Sequence, residues 1–196
     1  SAASDVYKRQ YAENPFAMPL GRKVAEEDIC EADVVIYVIS RISGEGKDRR
    51  RVKGDYYLSE REEEDLRYLA EMNKPVILIL NAGGPVELTD ILEQTDNIKG
   101  ILNISQLGQE GGDALADVLL GKEVPGGKLT TTWARRYEDY PASEEYGYLN
   151  GNLEKEKYKE GIYVGYRYFD SFDKKVMFPF GFGLSYTMFE LSLIHI

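Results

Sequence analysis

Val34-Val35-Ile36-Tyr37-Val38-Ile39 runs straight into Ser40-Arg41-Ile42-Ser43-Gly44-Glu45-Gly46-Lys47-Asp48-Arg49. An unbroken apolar run of this length, rich in β-branched residues, predicts a strand buried on both faces. It empties into a loop that holds one carboxylate, Glu45, between two glycines. Open α/β sheets bind ligands just beyond the carboxyl ends of their strands. Glycine on either side frees the backbone to push Glu45 outward. Glu45 is therefore the first candidate for chemistry.

The same alternation continues downstream. Ser59-Glu60-Arg61-Glu62 has the spacing of a capping box and predicts a helix from Glu60 to about Met72. Leu66, Leu69 and Ala70 form its apolar side, and Asn73 with Pro75 ends it. Val76–Leu80 is a second buried strand, closing on Asn81-Ala82-Gly83-Gly84-Pro85. A helix near Val86–Glu93, a strand over Gly100–Ile104 and a helix over Asp113–Leu120 closed by Gly121 follow. A short polar helix around Arg22–Ala32 precedes the first strand. This order predicts an α/β fold: a mainly parallel sheet flanked by helices on both faces, its strand ends sharing one rim. Asn103-Ile104-Ser105 has the spacing of a glycosylation sequon but falls on a strand expected to be buried, so it is set aside.

Beyond Gly121 the texture changes. Thr130–Trp133 reads as a short extended segment, and Tyr146–Phe189 carries thirteen Tyr or Phe residues. The expectation there is an extended, aromatic-rich C-terminal segment. Aromatic faces suit a pyranose, but rings packed over the sheet and a neighbouring domain are the favoured reading.

Composition excludes more than it selects. A net charge of −10 opposes nucleic acid as a partner, because phosphate binding needs concentrated Lys and Arg. The basic run from Lys47 to Lys53 reads equally as a solvated loop or as a part of substrate access. Asp5–Gln10 and Leu191–Ile196 can be encoded by reverse-complementary DNA, as if one sequencing adapter had been translated in both directions. Residues 1–10 and 191–196 are therefore expected to be adapter-derived and are kept out of the fold. Only one histidine, His195, occurs in the chain, and it falls in that excluded tail; Cys30 is the single cysteine. A zinc site, a histidine-activated nucleophile and a disulfide framework have no support. No apolar run is long enough for a membrane span, and no cofactor or metal is expected. With the start of the parent protein expected to be missing, location stays open, cytoplasm being favoured over export.

Two phosphate-loop resemblances fail. Gly121–Lys128 carries an extra glycine and no Ser or Thr after the lysine, and Gly44-Glu45-Gly46 lacks a third glycine and a following helix.

Several ordered blocks carry a closer resemblance. They are Ser43-Gly44-Glu45-Gly46 with Asp48-Arg49, Tyr57-Leu58-Ser59, Asn81-Ala82-Gly83-Gly84-Pro85-Val86-Glu87 and Gly108-Gln109-Glu110-Gly111-Gly112. Pro125-Gly126-Gly127-Lys128-Leu129, Glu160–Asp170 and Phe178–Tyr186 complete the series. Together they resemble the C-terminal α/β-sandwich domain of glycoside hydrolase family 3, the β-glucosidases and β-xylosidases. The resemblance covers residues 11–190, with 11–180 the partial sandwich domain and 181–190 the start of a connection to a following domain.

The resemblance implies a retaining hydrolase acting on a β-glucoside or oligosaccharide. A (β/α)8 barrel, missing from this sequence, would carry the Asp nucleophile, and Glu45 matches the general acid/base. Ser43, Asp48 and Arg49 match positions near the substrate. Lys47 stands where many relatives place an aromatic. The first strand and helix of the sandwich are expected to be missing as well, so the chain alone is expected to hydrolyse nothing. The alternatives are a β-xylosidase of the same family, a non-catalytic carbohydrate-binding or scaffolding domain and, more distantly, a nucleotide-binding domain.

Overall fold

The computed structural model describes residues 22–42, 49–144, 154 and 157–188. Three strands, β1 (Val35–Ser40), β2 (Val76–Asn81) and β3 (Ile98–Asn103), form a parallel sheet in the order β1-β2-β3. β1 and β2 run in continuous register from Val35 opposite Val76 to Ser40 opposite Asn81. Between β2 and β3 the register slips by one residue, so Val76 faces Ile98 while Ile77 faces Gly100. The central strand is the most apolar, and its Val76, Leu78, Ile79 and Leu80 are buried.

Helix α2 (Glu60–Glu71) follows α1 (Glu26–Ile29) in chain order and begins where the sequence places it. Ser59 Oγ accepts from the Glu62 N–H at 3.2 Å, and Glu62 Oε2 accepts from the Ser59 N–H at 2.7 Å. Its buried residues, Glu62, Asp65, Leu66 and Leu69, recur at helical spacing and make one stripe. Asn73 ends the helix in the left-handed region, at φ 52°. Tyr37 and Ile39 of β1 are buried, and the Tyr37 hydroxyl donates to Asp65 of α2 at 3.2 Å. The alternate residues of β1 point the other way. Ile36 and Val38 are 50% and 40% exposed, so among the described residues β1 is buried on one face and not on both as expected.

Other boundaries shift for local reasons. The first helix is only Glu26–Ile29, opened by the Asp28 carboxylate accepting from the Ala25 N–H. Helix α3 is Thr89–Gln94, later than expected, because Glu87 is extended and bridges to Tyr57. Asn103 lies at the exposed end of β3, which corrects its expected burial.

The chain divides into two units, residues 1–108 and 109–196. In the second, α4 (Gly111–Leu119) is followed by Gly121 at φ 69°, the left-handed stop expected there. Strand β4 (Trp133–Ala134) pairs antiparallel with β5 (Val176–Phe178). Trp133 is buried and meets the Phe178 ring edge-on at 6.0 Å. The segment expected to be extended instead contains a helix, α5 (Tyr166–Ser171), which starts after Gly165 at φ 60°. Its rings pack on one another: Tyr166 stacks on Phe180, and Phe172 contacts both Tyr163 and Tyr168. The turn through Gly127 and Lys128 lies against Gly181–Gly183, with Leu129 N–H bonded to Phe182 O at 2.8 Å.

Among the described residues no helix is long and apolar enough to cross a membrane.

Candidate functional site

Parallel strands deliver their carboxyl ends to one rim. Here that rim gathers Ser40–Ile42 after β1, Asn81–Pro85 after β2 and Ile104–Gln106 after β3. The Arg41 N–H donates to Asn81 O at 2.9 Å and the Ile104 N–H to Leu80 O at 3.0 Å. Gln106 Nε2 reaches Arg41 O at 3.4 Å. Of the predicted site residues, Ser43, Glu45 and Asp48 lie outside the described residues; Arg49 lies within them.

The residues on either side of that segment are held by buried charge. Arg41 is a fully buried arginine at the end of an apolar strand. Its Nη1 and Nη2 form a fork on Glu62 Oε1 and Oε2, each at 2.7 Å, with both side chains shielded from solvent. Nε donates to Asp55 O at 2.7 Å, and the fork also reaches Ser40 O and Tyr57 O. Two parallel N–H···O bonds between ionised groups fix orientation as well as distance.

Arg49 is fixed comparably. Nε donates to Asp55 Oδ1 at 2.8 Å, Nη2 to Asp55 O at 2.5 Å and Nη1 to Pro85 O at 2.6 Å. The Tyr56 ring lies 6.0 Å from its guanidinium carbon. Arg50 donates its backbone N–H to Asp55 Oδ2 at 2.6 Å. Of the basic run, Arg50, Arg51 and Lys53 are solvated, whereas Arg49 turns inward.

Sequence reasoning found Glu62 as a capping residue and missed its second partner. It also missed Arg41, Asp55 and the carbonyl of Pro85. The available signal was an arginine closing an apolar strand, which demands an acid somewhere in the fold. No group of His, Cys, Asp or Glu among the described residues is arranged to hold a metal.

Comparison with known proteins fits this frame. Residues 9–166 match the glycosyl hydrolase family 3 C-terminal domain. The chain belongs to that family. It is similar to β-glucosidase A of Butyrivibrio fibrisolvens, at 37% identity over 96% of this chain and 25% of that protein. Solved β-glucosidase 3B from Thermotoga neapolitana, in complex with glucose, superposes with a TM-score of 0.78 at 40% identity, over 95% of this chain and 28% of that one. A solved exo-β-xylosidase of the family is less similar: TM-score 0.59 and 27% identity, over 81% of this chain and 20% of that one. This family 3 chain therefore spans about a quarter of the length of the β-glucosidases it matches.

Proposed function

We propose that this chain supplies the general acid/base half of a retaining β-glucosidase-type hydrolase. Glu45 is the acid/base, and the Asp nucleophile belongs to a (β/α)8 barrel of the same longer protein. The observation that carries the reading is the anchorage of Arg41 and Arg49, which flank residues 43–48 in sequence. Both are fixed on the same buried aspartate, and Arg41 follows a parallel strand at its carboxyl end, where such sheets bind ligands.

In this reading the two carboxyl groups flank the glycosidic bond, about 5–5.5 Å apart. The barrel Asp attacks the anomeric carbon while Glu45 protonates the departing oxygen. Glu45 then takes a proton from water as that water releases the sugar from the enzyme. Ser43, Asp48 and Arg49 are the substrate-binding residues of this reading, and Arg49 is held in place by Asp55 and Pro85. A β-xylosidase is the second reading, favoured by the likeness to the solved exo-β-xylosidase.

The test is Glu45→Ala in the full-length protein, assayed on an aryl glucoside with an excellent leaving group and on a disaccharide. Turnover of the disaccharide, which needs the acid, should fall on the order of 10²–10⁴-fold. Glycosylation by the activated glucoside should fall far less, and azide should restore its turnover. The 196-residue chain alone serves as the control and should turn over neither substrate. Unchanged rates in the variant would remove Glu45 from the mechanism.

A further inference from the structure

Asp55 is fully buried and is bonded to both arginines that bracket residues 43–48. Its main-chain carbonyl accepts from Arg41 Nε and from Arg49 Nη2, at 2.7 and 2.5 Å. Its carboxylate accepts from Arg49 Nε and from the Arg50 N–H, at 2.8 and 2.6 Å. One residue thus ties the chain entering the segment to the chain leaving it. Glu62 holds the first arginine to α2, and Pro85 O holds the second to the loop after β2.

We propose that Asp55 is a positioning residue for catalysis: it sets the separation and orientation of the two ends of the 43–48 segment. The proposal rests on the acid/base reading of Glu45. Two arginines and two carboxylates, Asp55 and Glu62, balance in charge inside the protein. Apolar packing could fill the same space, but it would not be directional. Forked and charge-assisted bonds define both angle and distance. Acid catalysis needs that definition, because a displacement of about 1 Å at a catalytic group costs on the order of a hundredfold in rate.

The experiment compares Asp55→Asn and Arg49→Lys with Glu45→Ala in the full-length enzyme. Asp55→Asn keeps the shape but places an amide where Arg49 and the Arg50 N–H each need an acceptor. Arg49→Lys keeps the charge but loses the fork, and it is the milder change because Arg49 is partly exposed, at 14% of its side chain. Each enzyme is assayed on the disaccharide and on the activated aryl glucoside. A loss of folded protein lowers both rates by one factor. Displacement of the acid lowers the disaccharide rate selectively, and we expect a tenfold to hundredfold larger fall there. Equal falls on both substrates, or no fall in either variant, overturn the positioning role. If Glu45→Ala is selective and the other two are not, only the role of Asp55 fails. If Glu45→Ala is itself unselective, the acid/base reading fails and this proposal with it.

Discussion

Replacing Arg41 by Met leaves the Glu62 carboxylate buried, with the Ser59 N–H as the remaining partner described for it. Stranding one member of such a pair costs about 3–5 kcal/mol. Replacing Glu62 by Leu strands the guanidinium instead and also opens the capping box of α2, so its cost is of the same size. The double variant removes both charges at once. It still loses the donors that Arg41 gives to Ser40 O, Asp55 O and Tyr57 O, at about 1 kcal/mol each. Asp55 O keeps Arg49, which reduces that sum. The capping box is lost as well, at about 1 kcal/mol, so the double should lie about 3–4 kcal/mol below the native chain, comparable with either single variant. The coupling energy is then at least about 2 kcal/mol. Urea unfolding followed by circular dichroism measures all four corners of the cycle. Single losses that add to the double within about 0.5 kcal/mol would refute the reasoning, because independent groups add and a paired unit does not.

Two further outcomes follow from single contacts. Burial, and secondarily the Asp65 charge, raises the Tyr37 hydroxyl well above its ordinary value of 10. The folded chain therefore keeps this proton after the unfolded chain has lost it, so its stabilising contribution is complete below about pH 10 and is lost as pH rises further. Tyr37→Phe should flatten that alkaline fall in urea midpoints compared at pH 8 and 10.5; an identical slope in both proteins would contradict it. A Cβ at Gly183 would sit 2.6 Å from Gly127 O and 2.8 Å from Lys128 Cδ. Gly183→Ala should then destabilise the second unit by roughly 1–3 kcal/mol in thermal unfolding, and an unchanged midpoint would show that the turn yields freely.

The sheet and α2 were legible because their signals are local. β-Branched runs and the Ser59–Glu62 spacing specify a strand or a helix start whatever surrounds them. The rim shared by the strand ends was legible by the same means, since a parallel strand must deposit its following loop there. The anchorage of that loop was not. Arg41, Asp55 and Glu62 are joined by hydrogen bonds across 14 and 21 residues of sequence, and no periodicity encodes such a pairing. The helix Tyr166–Ser171 escaped notice for a different reason. It is six residues long and rich in aromatics, so intrinsic propensity says little, and it gains its support from rings on neighbouring segments.

The placement of Trp133 has a spectroscopic consequence. It is the sole tryptophan of the chain, enclosed beside Phe178 in the second unit, while residues 1–108 contain none. Indole emission shifts to the red when water reaches the ring, so intrinsic fluorescence follows residues 109–196 by themselves. Far-ultraviolet dichroism follows both units, through every helix and strand. Recorded on one denaturant series, coincident curves mean that the two halves melt as a single cooperative body. A gap between them dates the loosening of the Trp133 strand pair against that of the parallel sheet, with no label or added probe.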